Sequence, residues 1–201
     1  MIEETPPLCS GEFSFEAYYQ LLENLVETGR TSGNEQSEDK IGLTNVNLRR
    51  VQRLLKEVSL NEEQELVLKN LQVQQFWIVI MESWCADGAQ NIPIIAKLAE
   101  KSGGKVDLKI IFRDENPEIM DQYLTEGNRS IPILIAKNSE DEELFRWGPR
   151  PKSALAIADH WRKNKDSIPK KEFLLSLQKW YSGNKGQETL QELLTLLKKS
   201  N

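Results

Sequence analysis

Hydrophobic positions recur with helical spacing at both ends of the chain and form short, strand-length runs in its middle. The N-terminal part predicts three helices: one begins at the cap residue Ser14, a second covers 48–58, and a short third begins at the capping pair Asn61 and Gln64. Between the first two, residues 28–40 carry no apolar side chain, which predicts a surface loop. These amphipathic helices need a partner surface on which to bury their apolar sides.

The middle of the chain alternates strand and helix patterns. Residues 76–81 and 106–112 are apolar runs of strand length, and a helix pattern follows each of them, the second over 116–127. Two shorter runs, 132–136 and 143–147, flank a polar turn and predict a hairpin. This order predicts an α/β fold in which the first two strands pair in parallel.

Helical spacing returns after the hairpin and continues to the end of the chain. Residues 151–163 predict one helix, Pro169 begins another, and the leucines between 190 and 197 mark a last one. The glycines from 183 to 186 separate the last two. Helices of this kind commonly belong to a core or to a homodimer surface, and the sequence leaves both open.

One cysteine stands at a position that favours chemistry. The strand pattern ends at Trp84-Cys85, and a helix pattern begins immediately afterwards. The first turn of a helix has unpaired backbone N–H groups and the positive end of the helix dipole, and both favour a thiolate over a thiol. We therefore expect Cys85 to be exposed and reactive, or to contact a ligand, although a small buried residue at a helix start is the alternative.

The strand, the Trp84-Cys85 pair and the following helix resemble the active-site segment of the thioredoxin family. Pro93, eight residues after Cys85, matches the proline that kinks the active-site helix of that family, and Ile131-Pro132 matches its cis-proline step. Gly148 falls where the last strand of that family ends on a glycine.

The sequence around these positions is similar to that of a bacterial subgroup of thioredoxin family proteins with a Trp-Cys-x-Asp motif. The resemblance implies a thioredoxin-like α/β fold, a central mixed sheet flanked by helices, with helical extensions at both ends. It places the thioredoxin-like domain at 73–165, an N-terminal extension at 1–72 and a C-terminal extension, packed on the same core, at 166–201.

Two departures from the family pattern bear on activity. Gly88 stands where the second cysteine of Cys-x-x-Cys belongs, so a mixed disulfide at Cys85 has no neighbouring thiol to resolve it. Val79 stands where the family has a buried acid, although Glu82 lies closer to Cys85. Asp87 opposes the helix dipole because its negative charge raises the pKa of a nearby thiol, and the sequence does not decide which effect prevails.

The candidate site therefore contains Cys85 as the reactive residue. Trp84, Asp87, Ile131 and Pro132 are the candidate partner-binding residues, because the residue before a cis-proline can present its backbone to an extended peptide. The other cysteine, Cys9, lies in a proline-containing tail and is most simply incidental. His160, in the middle of a predicted helix, fits a surface position better than a catalytic one.

Three function hypotheses follow. The first is a single-cysteine (monothiol) protein of thiol–disulfide redox homeostasis, whose partner is a protein thiol or disulfide or a low-molecular-weight thiol, and which is not a standard dithiol thioredoxin. The second is a binding module without redox chemistry that recognises a peptide or protein at the cis-proline groove. The third, a glutathione or iron–sulfur carrier, is weakest because residues 85–88 lack the Cys-Gly-Phe-Ser wording of monothiol glutaredoxins.

Composition narrows the setting without changing this picture. Acidic residues outnumber basic ones 31 to 26 among 201 residues, and no segment is dominated by basic side chains, so nucleic acid is not an expected partner. No apolar run reaches the ~20 residues of a membrane span, and residues 1–7 have no signal-peptide pattern. Two cysteines far apart in sequence fit a reducing compartment, so we expect a cytoplasmic protein. The sequence shows no metal or phosphate motif, and we expect no cofactor.

Overall fold

A computed structural model describes residues 11–200 of the chain. Helices and strands alternate in the middle, and helices occupy both ends. In chain order the elements are α1 (Phe15–Glu27), α2 (Glu38–Glu57), α3 (Glu62–Lys69), β1 (Gln75–Met81), α4 (Ala86–Lys101), β2 (Val106–Phe112), α5 (Pro117–Met120), β3 (Ile133–Lys137), β4 (Glu143–Trp147), α6 (Lys152–Lys163), α7 (Lys170–Asn184) and α8 (Gln187–Lys199).

The four strands form one mixed sheet in the order β2-β1-β3-β4. β1 pairs in parallel with β2, and it pairs antiparallel with β3, which continues into the β3–β4 hairpin. The prediction of an α/β fold with a mixed sheet flanked by helices is confirmed. β1 lies at the centre of this sheet, and its carboxyl end delivers the chain to Cys85.

The terminal helices and the sheet share one hydrophobic core. Tyr18 of α1, Leu54 of α2 and Leu193 of α8 are fully buried in the same cluster as Trp77 of β1 and Ile92 of α4. The apolar sides of α1, α2 and α8 are therefore buried against the sheet and α4, which supply the partner surface that these amphipathic helices need.

A smaller cluster lies around Cys85 and combines residues of β1, β2, β3 and the segment before β3: Ile80, Ile111, Ile131, Ile133 and Ile135. A third cluster joins α6 to α7 through Ala158, Phe173 and Leu177. The thiol therefore borders an apolar layer that the strands create.

Local capping signals in the sequence are accurate. The Ser14 hydroxyl accepts a hydrogen bond from the Ala17 N–H at 3.2 Å at the start of α1. Asn61 and Gln64 form a reciprocal capping box at the start of α3. These signals depend on residues three positions apart, which is why they can be recognised without the fold.

Three sequence-based expectations need correction. α2 begins at Glu38, ten residues before the predicted start, because the buried side of its first turns carries the polar residues Thr44 and Asn47 and therefore shows no apolar stripe. The loop before it is not simply a surface loop, because Thr31 and Ser32 are each only 1% exposed. The helix predicted over 116–127 is a single turn, α5, followed by turns and a short bridge between Thr125 and Asn128.

Candidate functional site

The thiol of Cys85 lies at the start of α4, as the N-cap residue. Its Sγ accepts a hydrogen bond from the Gly88 N–H at 3.3 Å. The same thiol donates to the carbonyl oxygen of Ile131 at 3.4 Å, and the Ile131–Pro132 peptide bond is cis. The fold thus joins the end of β1 and the segment before β3 at one sulfur atom, although the two are 46 residues apart.

Cys85 is buried, with 6% of its surface exposed, so the expectation of an exposed cysteine is wrong. Burial, the largest influence, and the negative charge of Asp87 raise the pKa of the Cys85 thiol to about 12. The Gly88 N–H and the Arg150 guanidinium act in the opposite direction but do not compensate. From the sequence, the pKa of Cys85 depends on the opposing effects of the helix terminus and Asp87. In the structure, burial in the apolar layer has the larger effect on this pKa.

Asp87 is also buried, at 7% exposure, and both of its carboxylate oxygens have partners. Oδ2 forms an ion pair with Arg150 at 2.6 Å, and Oδ1 accepts a hydrogen bond from the Tyr181 hydroxyl at 2.8 Å. Burial and the neighbouring Asp87 charge raise the pKa of Tyr181, which therefore stays a donor at neutral pH. The first turn of α4 is thereby connected to α7 and to the segment before α6.

A second layer of hydrogen bonds supports this contact. The side-chain amide of Asn91 donates to the Asp87 carbonyl oxygen at 2.8 Å and lies 3.4 Å from the Tyr181 hydroxyl oxygen. Its carbonyl oxygen accepts from Thr189 of α8 at 2.7 Å. All four residues are buried, so helices from the C-terminal third of the chain form part of the site.

Trp84 lies beside the thiol and is half-buried. Two cations approach its ring: the Lys40 ammonium lies 4.3 Å, and the Arg113 guanidinium carbon 5.0 Å, from the ring centroid. Contacts of this kind contribute about 0.5–1 kcal/mol each when partly exposed. They fix Trp84 at the rim and bring α2 and the end of β2 to the site.

The turn between β1 and α4 is held by polar side chains from the N-terminal part of the chain. The Ser83 hydroxyl accepts the Ser32 N–H at 2.9 Å and lies 3.0 Å and 3.2 Å from the hydroxyls of Thr31 and Thr44. Asn47 of α2 donates to the Ser83 carbonyl oxygen at 2.7 Å. The buried residues Thr31, Ser32, Thr44 and Asn47 therefore support the turn that presents Cys85.

Two carboxyl groups lie behind this turn. Glu82 is fully buried; its carboxylate accepts from the Ser32 hydroxyl and from the Asp114 N–H, the latter at 2.9 Å. Burial raises the pKa of Glu82, and burial with the nearby charge of Glu82 raises the pKa of Glu115 to about 7. Glu82 does not take the place of the buried acid for which this chain has Val79. Its carboxylate instead holds the loops at Ser32 and Asp114 to the end of β1.

Gly88 leaves little room beside the sulfur. A Cβ atom at this position would lie 3.5 Å from the Cys85 Sγ and 2.9 Å from the Cε of Met81. A side chain at position 88 would therefore have to displace the flexible end of Met81.

Sequence reasoning brought the candidate residues Cys85, Ile131 and Pro132 together, but it missed the partners of Asp87. Arg150 and Tyr181 lie 63 and 94 residues after Asp87 and have no spacing signal that links them to it. The sequence does contain one signal for this contact: Tyr181 lies on the buried side of α7, where its hydroxyl needs a polar partner. Cys9 lies outside the described residues.

Within residues 11–200 no group of three histidine, cysteine or acidic side chains is arranged to hold a metal ion. Among the same residues, no helix combines the length and the hydropathy that a membrane crossing requires.

Comparison with known proteins gives consistent results. A family model described as Thioredoxin matches residues 33–162. The chain is 30% identical over 73 residues to Thioredoxin 1 of Nostoc sp. (strain PCC 7120 / SAG 25.82 / UTEX 2576) and 34% identical over 83 residues to Thioredoxin of Rickettsia bellii (strain RML369-C). These matches cover 36% and 40% of this chain, and 65% and 72% of the relatives, so the first match spans just under two thirds of that relative's length.

Among solved structures, the chain is similar to a protein of unknown function from Pseudomonas aeruginosa, with a TM-score of 0.59 and 17% identity over 94% of this chain and 99% of that one. It is also similar to an HIV epitope-scaffold, with a TM-score of 0.55 and 16% identity over 92% of this chain and 98% of the other. At these identities the likeness concerns the fold alone.

Proposed function

We propose, from the premise that the chain belongs to the thioredoxin family, that it is a monothiol protein in which Cys85 exchanges disulfides with a docked partner. The observation that carries the proposal is the meeting of the Cys85 Sγ, the Gly88 N–H and the Ile131 carbonyl before a cis-proline. A partner in extended conformation that pairs with the backbone at Ile131 would bring its own sulfur to Cys85.

The exchange balances without a second cysteine. The Cys85 thiolate attacks a partner disulfide, the partner's S–S bond breaks, and the released partner sulfur leaves as a thiolate that takes up a proton. A low-molecular-weight thiolate then attacks the partner sulfur of the mixed disulfide and releases Cys85. The two electrons stay within the pool of thiols and disulfides, and no cofactor takes part.

The raised pKa sets the rate of the first step. At pH 7 a thiol with a pKa of about 12 has roughly three-thousandfold less thiolate than one at about 8.5, and its higher nucleophilicity recovers only about fortyfold. Free Cys85 should therefore react about eightyfold more slowly than an unperturbed cysteine. Efficient exchange requires that a docked partner supply proximity.

We further propose the setting of this activity. The thioredoxin-like domain would extend over 73–165, with helical extensions at 1–72 and 166–201 that add to the same core. Two cysteines far apart in sequence support action in a reducing compartment, the cytoplasm.

The burial of Cys85 supports a second candidate function, that of a binding module without redox chemistry. In this case the Cys85 thiol serves as a hydrogen-bond donor to Ile131, and the surface at Trp84 and Pro132 binds a peptide or protein partner.

One experiment separates the two candidates. On a Cys9→Ala background, the rate of mixed-disulfide formation at Cys85 is measured by mass spectrometry with glutathione disulfide and with extended peptides that carry a disulfide. Exchange predicts that peptides react at least tenfold faster than glutathione disulfide, and that Cys85→Ser abolishes the product. Equal, slow rates together with peptide affinity that survives Cys85→Ala would refute exchange and favour the binding module.

A further inference from the structure

The C-terminal helices reach the first turn of α4 through Asp87. The Tyr181 hydroxyl of α7 and the Arg150 guanidinium, which precedes α6, each donate to one carboxylate oxygen, at 2.8 Å and 2.6 Å. Thr189 of α8 joins the same network through Asn91. Asp87 is therefore held by residues that lie after most of the thioredoxin-like strands and helices in the chain.

We infer that α7 and the segment before α6 set the reactivity of Cys85: Tyr181 and Arg150 fix the Asp87 carboxylate next to the thiol, and this fixed negative charge slows attack by Sγ. In this role Tyr181 is a positioning residue, because it acts on the sulfur only through Asp87. The inference deepens the proposed function by naming what regulates its thiol, and it concerns the thiol itself.

The geometry restricts what Asp87 can do. Both of its oxygens are engaged, while the Cys85 thiol donates to Ile131, so the carboxylate acts on the sulfur through its charge and not as a hydrogen-bond acceptor for it. Asp87 is 7% exposed and Cys85 6%, so water does little to screen this charge. Consistent with this, Asp87 contributes to the raised pKa of the thiol.

Other ionisable groups surround this pair, and they come from different elements. They are Tyr18 of α1, Arg50 of α2, Glu82 at the end of β1, Arg150 before α6 and Tyr181 of α7. Tyr18 and Tyr181 remain neutral at working pH because burial raises the pKa of both hydroxyls. Among these groups, the charges that act on the Cys85 thiol itself are those of Asp87 and Arg150.

The test is the rate of alkylation of Cys85 by iodoacetamide between pH 7 and 9, on the full chain with Cys9→Ala. Asp87→Asn removes the negative charge and leaves Arg150 beside the thiol. Without that charge the pKa of the Cys85 thiol falls and more of it is thiolate, and the accompanying loss of nucleophilicity cancels only part of this gain. We expect alkylation about tenfold faster than in the parent.

Tyr181→Phe keeps the ring, which packs edge-on against Trp180 at 5.0 Å, and removes only the hydroxyl. The carboxylate then loses one of its two anchors, can turn towards water on the Arg150 side, and acts less strongly on the sulfur. We expect alkylation about threefold faster. In an Asp87→Asn background the same change should have no effect, because nothing remains for Tyr181 to position.

Tyr19→Phe is the matched control, since the Tyr19 hydroxyl also has a side-chain partner, Gln52 at 3.3 Å, but lies on α1 away from the thiol network. It should leave the rate unchanged. A Tyr181→Phe effect that persists in the Asp87→Asn background would mean that α7 merely covers the site, and an unchanged or slower rate would equally overturn the inference.

Should Asp87→Asn fail to fold, Asp87→Ser replaces it as the background without the negative charge, and an unchanged or slower rate in Tyr181→Phe relative to Tyr19→Phe still overturns the inference. The proposed function fails separately: if no peptide disulfide exchanges with Cys85 while both variants change alkylation as expected, then the exchange proposal falls and the positioning role stands.

Discussion

Restoring a second thiol at position 88 tests whether Gly88 is what prevents dithiol chemistry. A Cβ atom at this position lies 3.4 Å from the Cys85 Cβ and 3.5 Å from its Sγ. Disulfides span Cβ separations of roughly 3.5–4.5 Å, so an adjustment of a few tenths of an ångström suffices. We expect Gly88→Cys to form an intramolecular disulfide with Cys85.

The energetic balance of this change is close to zero. Closing a four-residue loop restricts the unfolded chain by about 1.9 kcal/mol on the chain-entropy model. Against this, the new side chain lies 2.9 Å from the Met81 Cε, and overpacking costs about 1–3 kcal/mol. Because the Met81 atom ends a flexible side chain, we expect the low end of that cost and a melting temperature within a few degrees of the parent.

The assay is a titration of free thiols in glutathione redox buffers on the Cys9→Ala background, with the loss of two hydrogens read by mass spectrometry. The raised pKa of Cys85 favours a disulfide that is hard to reduce, because a low thiol pKa is what makes a dithiol–disulfide couple oxidising. Gly88→Ser is the matched control for size. A folded Gly88→Cys protein that keeps two free thiols in oxidising buffer would show that the reasoning about this turn is wrong.

Three further predictions concern the support of the site. Ser83→Ala should lower the free energy of unfolding by about 2–3 kcal/mol in urea melts, because the buried Ser32 N–H loses its acceptor; a loss under 0.5 kcal/mol would contradict this. Glu192→Ala should cost about 2 kcal/mol, since its carboxylate accepts from Trp147 and from the first N–H of α6, whereas exposed Gln191→Ala should cost almost nothing. The pKa of Glu115, raised to about 7, means that the folded state keeps a proton which the unfolded state releases near 4.5, so stability falls as pH rises from about 4.5 to about 7. Glu82, whose pKa burial also raises, adds to this fall in stability, so Glu115→Gln should reduce the dependence in melts from pH 4 to 8 without abolishing it; an unchanged slope would refute the assignment.

Much of the fold and part of the site could be predicted from local signals. The strand before Cys85, the capping box at Asn61 and the hairpin depend on residues close together in the chain, where period and propensity operate. The candidate cysteine, Cys85, and its neighbour Ile131 were identified from their match to family motifs.

Two of the misses share one physical origin, which is the long-range pairing of polar groups. Thr31 and Ser32 read as loop residues because nothing nearby shows that Ser83 will satisfy their hydrogen bonds in the interior. Likewise, Asp87 has the composition of an exposed helix start until Arg150 and Tyr181 are brought to it. The burial of Cys85 follows from the surrounding isoleucine layer, which no pattern around residue 85 reveals.

The contacts of Ser32 bear on how this chain can be divided. Its backbone N–H and hydroxyl donate to Ser83 and Glu82, and the Ser83 N–H donates back to it. A shortened chain that began at the first strand would expose a carboxylate and a hydroxyl whose partners had been cut away. Segments that look like an appendage in sequence therefore belong to the folding unit of the thiol site, and recombining this site into another scaffold would require carrying the loop with it.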